Sequence, residues 1–169
     1  MEGEIINRVA KSGLITIDLA DYAPKIQILE LDLKQFLFEG VILKEKNFRR
    51  SLKEFNFTQY TNKCVAVFCS SDCVIPMWAF MLVTIHLNSV ANEIHCGNKE
   101  LVFEHLFLDN ISNINTIKFK NKNVIVKGCG QTNLSGALYM AITKKLQNTV
   151  NNLMFGEACS AVPIYKNKK

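Results

Sequence analysis

Apolar residues recur at helical spacing in several segments of the chain. One such set predicts a long helix over 134–150: Leu134, Leu138, Ile142, Leu146 and Val150. Shorter helices are predicted over about 48–55, 76–90 and 99–113. The second of these should begin at Pro76, because a residue that precedes a proline resists helical geometry.

Short β-branched runs alternate with these helices in the second part of the chain. Strands are predicted over 63–69, 93–96, 123–127 and 151–155. Strand and helix in alternation imply right-handed crossovers, so we expect an α/β fold with a mostly parallel sheet flanked by helices. No internal repeat and no linker is evident, which favours a single domain over residues 1–169.

The first 60 residues are expected to form an extension of this core. Two strand-like runs, 14–19 and 26–31, flank the turn-rich tetrapeptide Asp-Tyr-Ala-Pro at 21–24 and predict a β-hairpin. Asp32 followed by Gln35 is typical of a helix start. We therefore expect an N-terminal hairpin and helices over 1–60, packed on a parallel β/α core over 61–169.

Composition excludes several classes of protein. Apolar residues make up 49% and charged residues 21% of the 169 residues, which is far from a disordered composition. The most apolar window, Val74 to Ile85, is shorter than the about 18–20 residues that span a bilayer. The chain opens with acidic residues, whereas a secretory signal opens with basic ones. We therefore expect a cytoplasmic protein with no membrane partner.

The net charge of +5 changes this picture little. The lysines are not interleaved with aromatic residues in the pattern of a nucleic-acid module, so solvated loops and a basic tail are the simpler interpretation. We expect no nucleic-acid partner. Dimerisation with a second copy is the ordinary expectation for a soluble α/β protein.

The cysteines carry the most informative pattern. Five of the six lie at or just beyond the ends of predicted strands: Cys69, Cys73, Cys96, Cys129 and Cys159. Ligands bind at the carboxyl ends of parallel strands, so we expect these thiols along one functional edge, with Cys64 at the opposite end. Ordinary packed thiols are the alternative, because cysteine is common in buried strands.

Cys129 has a distinctive setting between two glycines. Gly128 and Gly130 permit a sharp turn and close approach to a bound group, and the next helix begins just after them. A helix N-terminus favours anions and thiolates, so Cys129 is the candidate nucleophile. The candidate ligand-binding residues are Gly128, Cys129, Gly130, Thr132 and Ser70. An ordinary strand-to-helix turn is the alternative interpretation.

Thiolates and carboxylates at one edge also suit zinc, iron or an iron–sulfur centre. The candidate metal ligands are Cys69, Asp72, Cys129, Glu157 and Cys159. No Cys-x-x-Cys pair supports the metal through local spacing. His86 and His105 are expected to be packed or surface residues, and His95 should face away from its neighbour Cys96 on a strand. Hydrolase, kinase and dehydrogenase motifs are not found.

Segments spread over nearly the whole chain carry a family resemblance. They are Ile5–Leu14, Leu37–Gly40, Cys69–Asp72 with Ile75–Ala79, Ile125–Gly130 and Gly156–Lys166. Together they resemble domain-of-unknown-function family 2480, an uncharacterised bacterial family. The resemblance implies an association with the iron–sulfur assembly machinery through gene proximity. It directs attention to five residues: Cys69, Asp72, Cys129, Glu157 and Cys159. Cys73 and Cys96 look like additions of this sequence.

Three functional hypotheses follow. The first is a cytoplasmic accessory protein of iron–sulfur or sulfur metabolism that holds zinc, iron or a transferable sulfur and meets iron–sulfur assembly proteins. The second is a thiol enzyme or sensor that binds a small anion at the turn over 128–132. The third is a noncatalytic oligomeric interaction module.

Overall fold

The protein is described by a computed structural model over residues 13–128 and 134–167. Its contacts group into two compact units. The first unit takes in the described parts of Met1–Pro24 and Leu106–Lys169, and the second is Lys25–His105. A single domain over 1–169 stays a prediction.

Seven strands and four α-helices lie within the described residues. The strands are β1 Leu14–Asp18, β2 Ile28–Asp32, β3 Cys64–Phe68, β4 Glu93–Cys96, β5 Asn123–Lys127, β6 Asn152–Phe155 and β7 Val162–Lys166. The α-helices are α1 Glu45–Glu54, α2 Met77–Leu87, α3 Lys99–Ser112 and α4 Gly136–Leu146. Four short 3-10 helices are Leu19–Tyr22, Leu33–Phe36, Phe57–Tyr60 and Ile117–Phe119.

Each unit contains its own sheet. In the first unit the order is β1-β5-β6-β7, with β7 antiparallel to β6 and the other pairs parallel. In the second unit the order is β2-β3-β4, and both pairs are parallel. The predicted α/β fold with mostly parallel pairing and flanking helices is confirmed, but the strands form two sheets where one was expected.

The predicted N-terminal hairpin is wrong. β1 pairs with β5 and β2 pairs with β3, so the two strands do not pair with each other. The residues after β1 form a 3-10 turn instead of a hairpin loop, because the Asp18 carboxylate accepts the Ala20 N–H at 3.1 Å and caps that turn. Between residues 13 and 60, the structure therefore has one strand in each sheet.

The two units repeat one design, which corrects the expectation of no internal repeat. β3, α2 and β4 begin at residues 64, 77 and 93, and β5, α4 and β6 begin at 123, 136 and 152, so each element recurs after 59 residues. Asn62 and Asn121, two residues before β3 and β5, both have left-handed φ, at 59° and 57°. In the sequence, the repeat is clearest in the motif Asn-Lys-x-Val-x-Val, which occurs at 62–67 and again at 121–126.

Helices α1 and α2 cover one face of the second unit's sheet. Buried side chains from both helices and the sheet form a single apolar cluster: Leu31, Val65, Val67, Phe48, Leu52, Ala79, Val83 and Leu87. Phe48 lies edge-on to Phe36 and to Trp78, with ring centres 5.8 and 5.9 Å apart. Burial of one such side chain stabilises the fold by about 1.5–3 kcal/mol, so this cluster holds the helices on the sheet.

Helix boundaries follow the local signals in the sequence. Asn98 caps α3, since its Oδ1 accepts the Leu101 N–H at 3.0 Å. Pro76 immediately precedes α2, as its position predicts. Among the described helices, none combines the length and the apolar run needed to cross a bilayer.

Strand β7 was not predicted. It contains Pro163, which removes a ladder N–H and masks the strand pattern. β7 lies at the edge of its sheet, where a proline is tolerated, and its pairing with β6 shifts register between Leu153 and Met154. Edge position is a property of the folded sheet and is not encoded in local periodicity.

We predict that Phe48→Ala lowers the free energy of unfolding by about 3–5 kcal/mol, because it leaves a cavity in a fully buried site. Urea denaturation followed by circular dichroism measures the change. Phe38→Ala is the matched control, since Phe38 is 39% exposed, and it should cost less than about 1 kcal/mol. Equal losses in the two variants would contradict this assignment of the core.

Candidate functional site

The loop that follows β3 is fastened to the end of β2. Asp32 Oδ1 accepts the Ser70 N–H at 3.0 Å, and Oδ2 accepts the Ser70 hydroxyl at 2.5 Å. The Ser71 hydroxyl donates to the Gly40 carbonyl at 2.6 Å. Because β2 and β3 are parallel neighbours, their carboxyl ends meet, and Asp32 fixes the loop at this edge.

The Asp32 carboxylate is held in its ionised form. Partial burial by itself raises the pKa of Asp32, but hydrogen bonds from Ser70 and from the Lys34 N–H, with the Lys34 charge, outweigh it. The pKa therefore lies below its ordinary value. Only the ionised group accepts all three hydrogen bonds with both oxygens, so attachment of the loop depends on this charge.

Two thiols meet within this loop. The Sγ atoms of Cys69 and Cys73 lie 3.9 Å apart, and both side chains are partly buried. Burial raises the pKa of the Cys69 thiol, the Ser71 N–H opposes this, and Cys73 and Asp32 raise the pKa further. Cys69 is therefore protonated at neutral pH and is not poised as a nucleophile. Cys69 would have to lose this proton before it bound a metal ion or accepted a sulfur atom.

Other predicted residues of this edge have different environments. Asp72 is exposed in the same loop, and Cys96 is exposed at the end of β4. The Ser70 hydroxyl hydrogen is already donated to Asp32, so Ser70 positions the loop. Its predicted contact with a ligand stays a prediction.

The carboxyl end of the first unit's sheet carries an ion-pair cluster. Lys127 Nζ lies 3.9 Å from Asp18 Oδ2 and 3.6 Å from Glu157 Oε1. A Cβ at Gly128 would clash with the ends of the Leu134 and Tyr139 side chains, so a larger residue there would force both side chains to move. The Gly128 prediction thus has a packing explanation that needs no ligand.

Several predicted residues are not brought together by the described structure. Cys129, Gly130 and Thr132 lie outside the described residues, and their roles stay predictions. The single sheet edge predicted for the cysteines is wrong, because β3 and β4 belong to one sheet and β5 and β6 to the other. Whether Cys69 and Asp72 share a metal with Glu157 and Cys159 therefore stays a prediction. Both Glu157 and Cys159 are exposed.

A second group of donor atoms lies at the opposite end of the second unit's sheet. Cys64 begins β3, and Glu93 and His95 lie on β4; their ligand atoms are all within 4.8 Å of one another. Burial, with a smaller contribution from Glu93, raises the pKa of the Cys64 thiol to about 11. This group was not predicted from the sequence. The sequence pattern that could have revealed it has two parts. One strand begins with Cys, and the next strand, its parallel neighbour, contains Glu-x-His.

The remaining histidines are less informative. His86 stacks on Phe57, with ring centres 5.5 Å apart and an interplanar angle of 10°. His105 lies edge-on to His95, with ring centres 5.5 Å apart. The stacking on Phe57 agrees with the packed environment expected for His86. His105 instead lies beside His95 of the Cys64, Glu93 and His95 group.

The family model described as "Protein of unknown function (DUF2480)" matches residues 3–167. The chain belongs to this family. The resemblance found in the sequence is thereby confirmed, and the DUF2480 match extends across both units. Comparison with curated proteins and with solved structures gives no significant match.

We predict that Asp32→Asn makes the unfolding free energy less dependent on pH below about 5. The folded pKa of Asp32 is lowered, so its ionised form stabilises the fold above the unfolded pKa of about 3.9. That contribution is lost as pH falls through the folded pKa. The variant should also be about 1 kcal/mol less stable at pH 7.

Urea denaturation of both proteins between about pH 2 and 7 measures this difference. Asp72→Asn, at an exposed aspartate of the same loop, should retain the steeper fall of the wild type. Parallel curves for the wild type and Asp32→Asn would show that Asp32 does not hold the loop through its charge.

Proposed function

We propose that this DUF2480 protein is a cytoplasmic metal- or sulfur-binding accessory factor of iron–sulfur metabolism. The observation that carries the proposal is the pair of thiols, Cys69 and Cys73, in the loop fixed by Asp32. A cytoplasmic location suits a dithiol that must stay reduced. The resemblance to a family associated with iron–sulfur assembly supports the choice of pathway.

The spacing of the two sulfurs supports metal binding. With a metal–sulfur bond of about 2.3 Å and tetrahedral angles, two thiolates on one ion lie about 3.8 Å apart. The observed separation is 3.9 Å. The pair therefore needs almost no movement to hold one zinc or iron ion, and each thiol would release its proton to solvent on binding.

The pair alone leaves two positions of a tetrahedral ion for other ligands. Asp72 in the same loop offers a carboxylate. Cys129, Glu157 and Cys159 remain the other predicted ligands. A transferred sulfur is the alternative cargo: a donor persulfide would pass its outer sulfur to a thiolate and leave as a thiol, which gives a persulfide on the protein.

The ion-pair cluster weighs against the alternative of an anion-binding thiol enzyme at 128–132. Lys127 precedes that segment, and its positive charge lies within 4 Å of two carboxylates, those of Asp18 and Glu157. The charge of Lys127 is therefore already paired with carboxylates, which supports the dithiol proposal over an anion held by this lysine.

We predict that each of Cys69→Ser and Cys73→Ser lowers bound metal or sulfane sulfur by about one equivalent per chain, since each removes one of the two chelating sulfurs. Protein purified without oxygen is analysed for iron, zinc, sulfide and sulfane sulfur. Cys96→Ser, at an exposed cysteine of the same unit, is the control and should retain the wild-type content.

Thermal unfolding of each variant separates loss of binding from loss of fold. Wild-type protein that holds neither metal nor sulfane sulfur would contradict the proposal. Content that is unchanged in both folded variants would also contradict it.

A homodimer is proposed from the surface of α2. Met77, Met81 and Ile85 are spaced four residues apart and are 72%, 68% and 70% exposed, so they form one apolar stripe on the helix. A stripe that repeats along its own length can pair with a second copy across a twofold axis. An iron–sulfur assembly protein is the other proposed partner.

We predict that Met81→Glu converts the dimer to a monomer, because it places a charge in the centre of the apolar stripe. Light scattering over a range of concentrations measures the mass. Met140→Glu is the matched control, because Met140 is 75% exposed on α4, and it should leave the dimer intact. A monomeric wild type would contradict self-association and leave the assembly protein as the proposed partner.

A further inference from the structure

The amino end of the second unit's sheet presents three metal-ligating side chains on one face. Cys64 lies opposite Glu93 in the register of β3 and β4, and Ala66 lies opposite His95. Residues two apart on a strand share a face, so Glu93 and His95 point to the same side as Cys64. In-register parallel pairing thus assembles a thiol, a carboxylate and an imidazole from two short segments.

The donor atoms are near the spacing that a single ion requires. Ligand atoms on a tetrahedral zinc lie about 3.3–3.8 Å apart, given bonds of about 2.0–2.3 Å. Here all the donor atoms lie within 4.8 Å of one another, and His95 Nε2 is 3.3 Å from Glu93 Oε2. Small side-chain rotations would close the set around one ion.

The duplicated design supplies an internal comparison for these positions. The residues 59 positions after Cys64, Glu93 and His95 are Asn123, Asn152 and Met154. In the first unit the Asn152 Nδ2 donates to Asn123 Oδ1 at 2.7 Å, which is an ordinary amide hydrogen bond. The same backbone therefore folds with neutral residues at these positions. The thiol, carboxylate and imidazole of the second unit are not required by the architecture.

Burial and access also fit a bound ion. Cys64 is fully buried, whereas Glu93 and His95 are partly exposed. A cleft of about 290 Å³ beside His95 is lined by Cys96, Leu101, Val102 and His105. The partial exposure of Glu93 and His95 gives an ion a route from solvent to the buried sulfur, and a water could take its fourth position.

We propose that Cys64, Glu93 and His95 bind a divalent transition-metal ion of the zinc class. One thiolate, one imidazole and one carboxylate form a borderline donor set, which favours zinc, cobalt or ferrous iron over calcium or magnesium. Binding replaces the S–H bond of Cys64 by a metal–sulfur bond and releases one proton to solvent. This site is separate from the Cys69–Cys73 pair and does not depend on the function proposed for that pair.

Cobalt(II) is the probe, because its visible absorption reports tetrahedral geometry and its near-ultraviolet absorption reports a bond to sulfur. The full chain carrying both Cys69→Ser and Cys73→Ser is stripped with a chelator and titrated, so that the pair used in the proposed function contributes nothing. We expect one tetrahedral cobalt per chain with a sulfur bond, displaced by zinc.

In the same background, Cys64→Ala should abolish the sulfur band, and His95→Gln should weaken cobalt binding by at least about 100-fold. Loss of a direct ligand exceeds the about 10–100-fold cost of losing an outer partner. His86→Gln is the matched control, because His86 lies on α2, stacks on Phe57 and is not one of the three donors. It should bind cobalt unchanged.

Glu93→Gln keeps the shape of the side chain and removes its charge, so it tests the site even where Cys64→Ala unfolds. Absence of tetrahedral cobalt in the folded background protein would overturn the proposal. So would a sulfur band that survives Cys64→Ala. Cobalt bound only when Cys69 and Cys73 are present would overturn this site while supporting the function proposed above.

Discussion

The carboxylate of Asp32 is the contact on which the candidate site depends. It accepts the Lys34 N–H and so caps the 3-10 turn after β2. It also accepts hydrogen bonds from the backbone N–H and the hydroxyl of Ser70, after β3. Parallel neighbours place their carboxyl ends together, which makes one aspartate sufficient for both tasks. Asp18 caps the corresponding turn after β1, so the same device is used at the end of both N-terminal strands.

Local structure was largely predictable from the sequence. The four-residue spacing of Leu138, Ile142 and Leu146 marks α4, and all three are buried. Asn98 could be identified as a cap, because capping depends on residues within one helical turn. Both signals depend on residues that are close in sequence, so they can be recognised without knowing the fold.

Pairing could not be predicted in the same way. β1 and β2 are close in sequence and follow a turn-rich segment, but each finds a parallel partner far along the chain. Parallel pairing leaves no short-range signature, so the hairpin was the natural but wrong expectation. The same limitation hid the Cys64 group, because its members meet only when β3 and β4 are known to be neighbours.

The 59-residue repeat allows the two halves of this polypeptide to differ. A symmetric assembly of identical subunits must carry every substitution in all its copies. A chain that contains the design twice is free of that constraint. Where the first copy keeps a plain amide pair, Asn123 with Asn152, the second has a thiol facing a carboxylate. One copy can thus preserve the scaffold while the other acquires reactive chemistry, a division of labour within a single gene product.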